Sequence, residues 1–203
     1  MTVTRELEFS VAVLAGGSSR RMGRDKALIE IDGDAMVLRV VDEARRAGAR
    51  EVLVVGRPPG AWPGVVSVPD RYPGEGPLGG VITALGLIST QILVLMPCDL
   101  LSPSSSAVRE VVAELDGRES GDPADAVVPL VGDRLQYVQT AMRVSLAAQL
   151  EERFAAGERS IRGGLHGAAV VEAVFEDSTW FADADEPGDL PIASRDDDFG
   201  ISG

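Results

Sequence analysis

A single cysteine, Cys98, excludes an internal disulfide and a cysteine-based zinc cluster. A single histidine, His166, excludes a histidine pair for a metal, and Gly163-Gly164-Leu165-His166-Gly167 reads as a helix end and turn with a solvated histidine rather than a catalytic base. No apolar run approaches the ~18 residues of a membrane-spanning helix. The first residues, Met1 to Glu8, carry acids where a secretion signal needs a basic start and an apolar stretch, so a cytoplasmic location is expected. Basic excess is also lacking: the net charge is −13, which argues against nucleic acid or an anionic membrane as partner.

What remains is a 203-residue chain with 45% apolar residues, long enough to bury one full α/β core. Lysine is almost absent: 18 of the 19 basic residues are arginine, and Lys26 is the exception. It ends the stretch Leu14-Ala15-Gly16-Gly17-Ser18-Ser19-Arg20-Arg21-Met22-Gly23-Arg24-Asp25-Lys26, which follows the apolar run Val11 to Leu14. A glycine turn leaving a buried strand lets successive N–H groups point at anionic oxygens. Arg20, Arg21, Arg24 and Lys26 concentrate positive charge in seven positions of an acidic protein, so the stretch reads as a phosphate cradle. It is neither a P-loop, since no Lys-Ser or Lys-Thr follows Gly23, nor a G-x-G-x-x-G dinucleotide fingerprint.

Helical spacing of Met36, Val37, Val40, Val41 and Ala44 predicts a helix over 36–47, and Glu51 to Gly56 a strand, completing a βαβ unit and hence a parallel sheet. Val65 to Val68 is a short extended run. Pro69 to Gly80, with three prolines and four glycines, is expected to be surface loop at a strand's carboxyl end, with a helix over 81–88. Ile92 to Met96 is the most apolar strand and the expected sheet centre. Asp99, just beyond it, is expected to face the same crevice as the first loop and to serve as a hard oxygen ligand for Mg²⁺, with the N-terminal cap of the following helix as the competing role. Ser102-Pro103 is expected to cap a helix over 104–115. Strands at 125–131 and 134–142, joined by Gly132-Asp133, form a hairpin that breaks the parallel pattern and marks an acceptor-binding half. A helix over 143–156 and a strand over 168–174 follow. Asp183 and Asp185 point to one side of an extended chain, although Asp185 serves equally as a helix cap before Pro187. The acidic segment 191–203 is expected to be a mobile tail beyond a single domain, 1–190.

The stretch from Leu14 to Lys26 closely resembles the signature L-A-G-G-x-S-x-R-M-G-x-D-K of the molybdenum cofactor guanylyltransferases, members of the nucleotidyltransferase superfamily, and matches every fixed position. Asp70 with Gly76-Pro77-Leu78-Gly79-Gly80 resembles the family's aspartate and G-P-L-x-G. Cys98-Asp99 resembles its C-D motif, Ser160 to Leu165 its G-x-R-S-x-R segment, and Asp183 to Leu190 its N-x-N-x-P-x-D-L. Gly56 stands where the family commonly has asparagine, and Leu135-Gln136-Tyr137-Val138 lacks the proline of its Q-P-L acceptor segment.

The resemblance implies a Rossmann-like, doubly wound, mostly parallel sheet with a small antiparallel hairpin. It implies transfer of GMP from GTP to molybdenum-bearing molybdopterin, with release of pyrophosphate. Leu14, Ala15, Gly16, Gly17 and Lys26 would bind the nucleotide: the Gly16-Gly17 turn would hold phosphates by backbone N–H, and Lys26, with Arg20 or Arg21, would offset their charge. Asp70, Pro77, Leu78 and Gly79 would seat the nucleoside, and Asp99 with Asp185 would hold Mg²⁺. Carrier proteins of the molybdenum cofactor, or molybdoenzymes, would be the protein partners. Two other readings stay open: a sister enzyme using CTP or a different phosphorylated acceptor, such as a sugar phosphate or phospholactate, and a nucleotide- or molybdopterin-binding protein with little catalysis.

Overall fold

The computed structural model describes residues 8–16, 25–117, 123–184 and 187–190. The expectations for Gly17, Arg20, Arg21, Asp185 and the 191–203 tail lie outside these. The chain opens with β1 (Phe9–Leu14), a 3-10 turn (Lys26–Leu28) and the strands β2 (Glu30–Ile31) and β3 (Asp34–Ala35). Then come α1 (Met36–Arg46), β4 (Glu51–Val55), β5 (Val66–Val68), α2 (Pro77–Leu85), β6 (Ile92–Pro97) and α3 (Ser105–Asp116). The second half adds β7 (Ala126–Val131), β8 (Arg134–Leu135), β9 (Ala141–Arg143), α4 (Ala147–Ala155), α5 (Ile161–Gly164) and β10 (Val170–Phe175).

One sheet carries the fold, in the order β10-β7-β9-β6-β1-β4-β5 with β8 paired to β7. β5, β4, β1 and β6 are mutually parallel, and β10 is parallel to β7. β9 runs antiparallel to both β6 and β7. The expected centre holds, since β6 lies fourth of the seven and all six of its residues are buried. Such a strand needs apolar residues on both faces, because helices cover both.

Alternate residues feed two cores. Val11, Val13, Val94 and Met96 pack with Val37, Val40 and Val41 of α1 and Val108, Val111 and Val112 of α3. On the other face, Ala12, Leu93 and Leu95 pack with Leu78, Val81 and Ile82 of α2 and Leu150 of α4. The sheet is therefore doubly wound, and among the described residues no helix is long and apolar enough to cross a membrane.

Four expectations change. The expected loop 69–80 ends early, because α2 begins at Pro77. Proline costs nothing at the first helical position, where the N–H has no intrahelical partner. Gly79 and Gly80 are contact residues here, not helix breakers: a Cβ would stand 2.9 Å from the Tyr72 Cβ at Gly79 and 3.3 Å from Leu14 Cδ2 at Gly80. The cap of α3 is Ser104, whose hydroxyl accepts the Ala107 N–H at 3.3 Å, and not Ser102 with Pro103. The strand expected over 134–142 is broken by a 3-10 turn (Tyr137–Gln139). Pro129 in mid-β7 has no N–H to give the ladder, so β8 pairs with Leu130 and Val131 beyond it and β9 with Ala126 and Val127 before it. Finally, the 26–36 region holds an unexpected second hairpin, β2–β3, turning at Asp32 (φ 56°) and Gly33 (φ 87°).

Gly56 is the tightest backbone position bordering the first loop. With φ 95°, it would bring a Cβ to 2.4 Å from the Gly16 Cα and 2.6 Å from the Gly16 nitrogen. This clash is with backbone that no rotamer can move. We expect Gly56→Ala to cost about 2 kcal/mol or more in urea unfolding. Gly60→Ala, at φ 77° with open space around its Cβ, should cost only the left-handed penalty of ~1 kcal/mol.

Candidate active site

From β1 the chain winds outward through β4 and β5, then returns to add β6 on the other side of β1. The winding reverses between β1 and β6, and in open α/β sheets ligands bind outside the carboxyl ends of the strands at such a point. The two ends are level: Leu14 pairs with Pro97, and the Cys98 N–H donates to the Leu14 carbonyl at 3.2 Å.

Beyond β1, the Ala15 N–H donates to the Val55 carbonyl at 2.9 Å, and Gly16 emerges exposed. Asp25 caps the following 3-10 turn, its Oδ1 accepting the Ala27 N–H at 3.2 Å. Lys26 then reaches across to β6, where its Nζ donates to Asp99 Oδ2 at 2.9 Å. The side chains of Lys26 and Asp99 are 15% and 16% exposed, shielded yet within reach of a ligand.

Beside this pair lies a second. Arg57, one residue past Gly56, donates through both terminal guanidinium nitrogens to the two carboxylate oxygens of Asp25. The Arg57 hydrogen bonds hold the Asp25 carboxyl below its usual range, against the opposing effect of burial. The same bonds push Arg57 up. Arg57, Asp25, Lys26 and Asp99 thus form a row of alternating charge along the strand ends.

Asp70 sits behind Gly16. Its Oδ1 accepts the Tyr72 N–H at 3.0 Å and lies 3.0 Å from the Thr83 hydroxyl of α2, which also lies 2.9 Å from the Gly79 carbonyl. The carboxylate borders a cavity of about 360 Å³ together with Leu14, Gly16, Gly76, Pro77 and Gly80. The expected nucleoside loop therefore divides. Pro77 reaches the cavity, whereas Leu78 is fully buried in the core and Gly79 lies against Tyr72. Gly80, not assigned to the site from sequence, lines the cavity instead. Gly76, at φ 87°, would place a Cβ 2.8 Å from the Arg159 carbonyl, which also accepts the Leu78 N–H at 3.1 Å. Arg159 in turn donates to Glu75 at 2.6 Å and stacks over Phe154, 4.1 Å from its ring centre.

The segment before Asp185 runs alongside Asp99. Ala184 donates its N–H to the Asp99 carbonyl at 3.0 Å, Leu101 donates to the Ala182 carbonyl at 2.9 Å, and Leu100 bridges Asp183. Asp183 is exposed. Ala184 and Leu190 pack with Ile29, Ile31 and Met36 in a third, small core. Among the described residues no three His, Cys, Asp or Glu side chains gather into a metal cage. The Asp99 carboxylate fits Mg²⁺, which usually keeps waters and is held by one or two carboxylates plus substrate phosphates. His166 is exposed after α5, as expected.

Sequence reasoning missed Arg57 and Thr83. Thr83 orients Asp70 from 13 residues away, a pairing that follows only once α2 is known to begin at Pro77. Arg57 lies at a strand's carboxyl end, the edge where functional residues gather, but no spacing links it to Asp25.

The family model for the MobA-like NTP transferase domain matches residues 11–171. The "Probable molybdenum cofactor guanylyltransferase" of Methanothermobacter thermautotrophicus is 32% identical over 160 residues, covering 75% of this chain and 80% of that one. The molybdenum cofactor guanylyltransferase of Shewanella sp. strain MR-4 is 33% identical over 161 residues, covering 76% and 79%. Among solved structures, molybdopterin-guanine dinucleotide biosynthesis protein A of Archaeoglobus fulgidus superposes with TM-score 0.71 at 23% identity, over 89% of this chain and 94% of that one, a likeness of fold.

Cys98 stands inside the charge row without joining its chemistry. Burial, and then the adjacent Asp99, push its thiol up to about 12. Below that pH the thiol stays protonated, and a protonated thiol is a poor nucleophile. A disulfide exchange reagent at pH 8 should therefore leave the native thiol essentially unreacted and titrate one thiol per chain once guanidinium chloride unfolds it. Rapid reaction of the native protein would contradict this environment.

Proposed function

The chain belongs to the MobA-like NTP transferase family and is a nucleotidyltransferase, and from that premise we propose that it transfers GMP from GTP to molybdenum-bearing molybdopterin. In this reaction a phosphate oxygen of the acceptor attacks the α-phosphorus of GTP. A P–O bond forms there, the bond to the β-phosphate oxygen breaks, and pyrophosphate leaves with the bonding pair. Such a transfer asks a protein for charge neutralisation and in-line positioning more than for covalent chemistry.

The observation that carries the reading is the Lys26–Asp99 pair at the level ends of β1 and β6, beside the 360 Å³ cavity. Lys26, on the capped turn that ends the signature, supplies a compact ammonium for phosphate oxygens. By the resemblance, Gly16 and Gly17 would offer backbone N–H groups and Arg20 would add charge, Gly17 and Arg20 lying outside the described residues. Asp70, held by Thr83 and the Tyr72 N–H, would seat the nucleoside against Pro77 and Gly80. Asp99, with Asp185, would hold Mg²⁺, which when bound polarises the α-phosphate and offsets its charge.

The acceptor would approach from the second half of the sheet. There a hollow of about 560 Å³ is bounded by Tyr137, Ser160, Arg162, His166 and Glu172. The 137–139 turn separates it from the first cavity, with Val138 lining one and Tyr137 the other. Arg162 is the cation a phosphorylated acceptor would meet there, beside the carboxylates of Glu158 and Glu172 on the same lining. The setting we propose is the cytoplasm, with one catalytic domain over 1–190 that delivers its product to carrier proteins or molybdoenzymes.

The test is calorimetric titration with GTP, CTP, UTP, ATP and dTTP, with and without Mg²⁺, followed by product analysis with molybdopterin. Selective, Mg²⁺-dependent binding of GTP is the expected outcome. Preference for CTP would keep the reaction and discard the guanine assignment. Lys26→Ala and Asp99→Asn should each lower turnover at least ~10²-fold, about 3 kcal/mol of transition-state stabilisation, in a protein that remains folded by circular dichroism. Near-normal turnover in either would remove that residue's proposed role.

A further inference from the structure

We propose that Arg57 is a positioning residue that keeps Lys26 available to phosphate, by gripping Asp25 and masking its carboxylate; this rests on the phosphate-binding role proposed for Lys26. Three observations converge. Asp25 is the cap of the turn whose first residue is Lys26, so its orientation sets where the Lys26 stem begins. Arg57 holds both oxygens of that carboxylate with a two-pronged grip, a geometry that fixes direction as well as distance. Arg57 is itself anchored: its N–H and that of Gly56 both donate to the Val68 carbonyl, at 3.1 and 2.9 Å, where β5 ends. The backbone from which the guanidinium extends is thus pinned to the sheet, while the carboxylate it holds belongs to the turn at Lys26.

The charge argument gives the grip its function. Asp25 directly precedes Lys26, and an unmasked carboxylate there would repel the phosphates of a triphosphate and compete with them for the ammonium. The Arg57 side chain is 18% exposed, so solvent would replace its charge poorly. An arginine suits the task better than a lysine, whose ammonium cannot span both oxygens.

The pair can be separated from a merely structural contact because its two members have opposite signs. Removing Arg57 leaves an unmasked negative charge beside Lys26. Removing the Asp25 charge as well should restore much of what was lost, since asparagine still caps a helical turn. We would titrate GTP and inorganic pyrophosphate into the parent chain and into Arg57→Ala, Arg57→Lys, Asp25→Asn and the double variant Arg57→Ala/Asp25→Asn. Lys26→Ala serves as reference, and thermal unfolding is followed throughout.

Arg57→Ala should weaken both ligands roughly tenfold, Arg57→Lys less, and the double variant should recover most of the loss. A double variant as weak as Arg57→Ala, or parental binding by Arg57→Ala, overturns the proposal; should Arg57→Ala fail to fold, parental binding by Arg57→Lys overturns it equally. Failure of the underlying reading is distinct: it shows as parental binding by Lys26→Ala, or as no binding by the parent chain.

Discussion

The parallel pairing of β1 with β6 is the contact on which the site depends. Six register pairs bring Leu14 level with Pro97, so whatever follows each strand begins at the same height. Lys26 and Asp99 lie 73 residues apart in the chain, yet they meet because two apolar strands share hydrogen bonds. The strands pair because both faces are apolar and each face has helices to cover it. Packing thereby does the work of aligning charge.

At those ends the protein uses charge sparingly and in sequence. Arg57, Asp25, Lys26 and Asp99 alternate in sign, so each side chain is held by a neighbour of the opposite sign before any ligand arrives. This order limits rotamer freedom in long side chains that would otherwise lose it on binding. It also means that a phosphate approaching Lys26 competes with Asp99 for the same ammonium. On the roles proposed above, a divalent cation on Asp99 and a phosphate on Lys26 would each release the other's partner and so couple the two binding events.

Much of this was legible in the chain. The apolar runs of β1, β4 and β6 and the helical spacing of α1 are local patterns, and local patterns survive folding. Asp99 was recognisable because a carboxylate just past the most apolar strand must lie at the sheet's edge. The Pro77 to Gly80 stretch misled because composition treats proline and glycine as breakers. Proline at a first helical position and glycine at a close contact carry the opposite meaning, and only tertiary packing tells them apart. The β2–β3 hairpin carried its signal openly in Asp32-Gly33, a dipeptide suited to tight turns, but strands of two residues offer too little periodicity to flank it. Arg57 and Asp25 were invisible as a pair, because a bidentate contact across 32 residues leaves no mark in spacing.

The small third core has a consequence for synthesis. Ile29, Ile31 and Met36, just after the signature, are covered by Ala184 and Leu190 from the far end of the fold. Leu101 packs against the same cluster, but the cover from Ala184 and Leu190 completes only after some 150 further residues have been translated. At ordinary elongation rates that delay is on the order of ten seconds. The sheet can pair during this interval while the loop it presents still lacks its support. Strands β1, β4, β5 and β6 are made long before that cover, whereas β10 and the cover arrive almost together, so early termination would leave both the sheet and the edge under Lys26 unfinished.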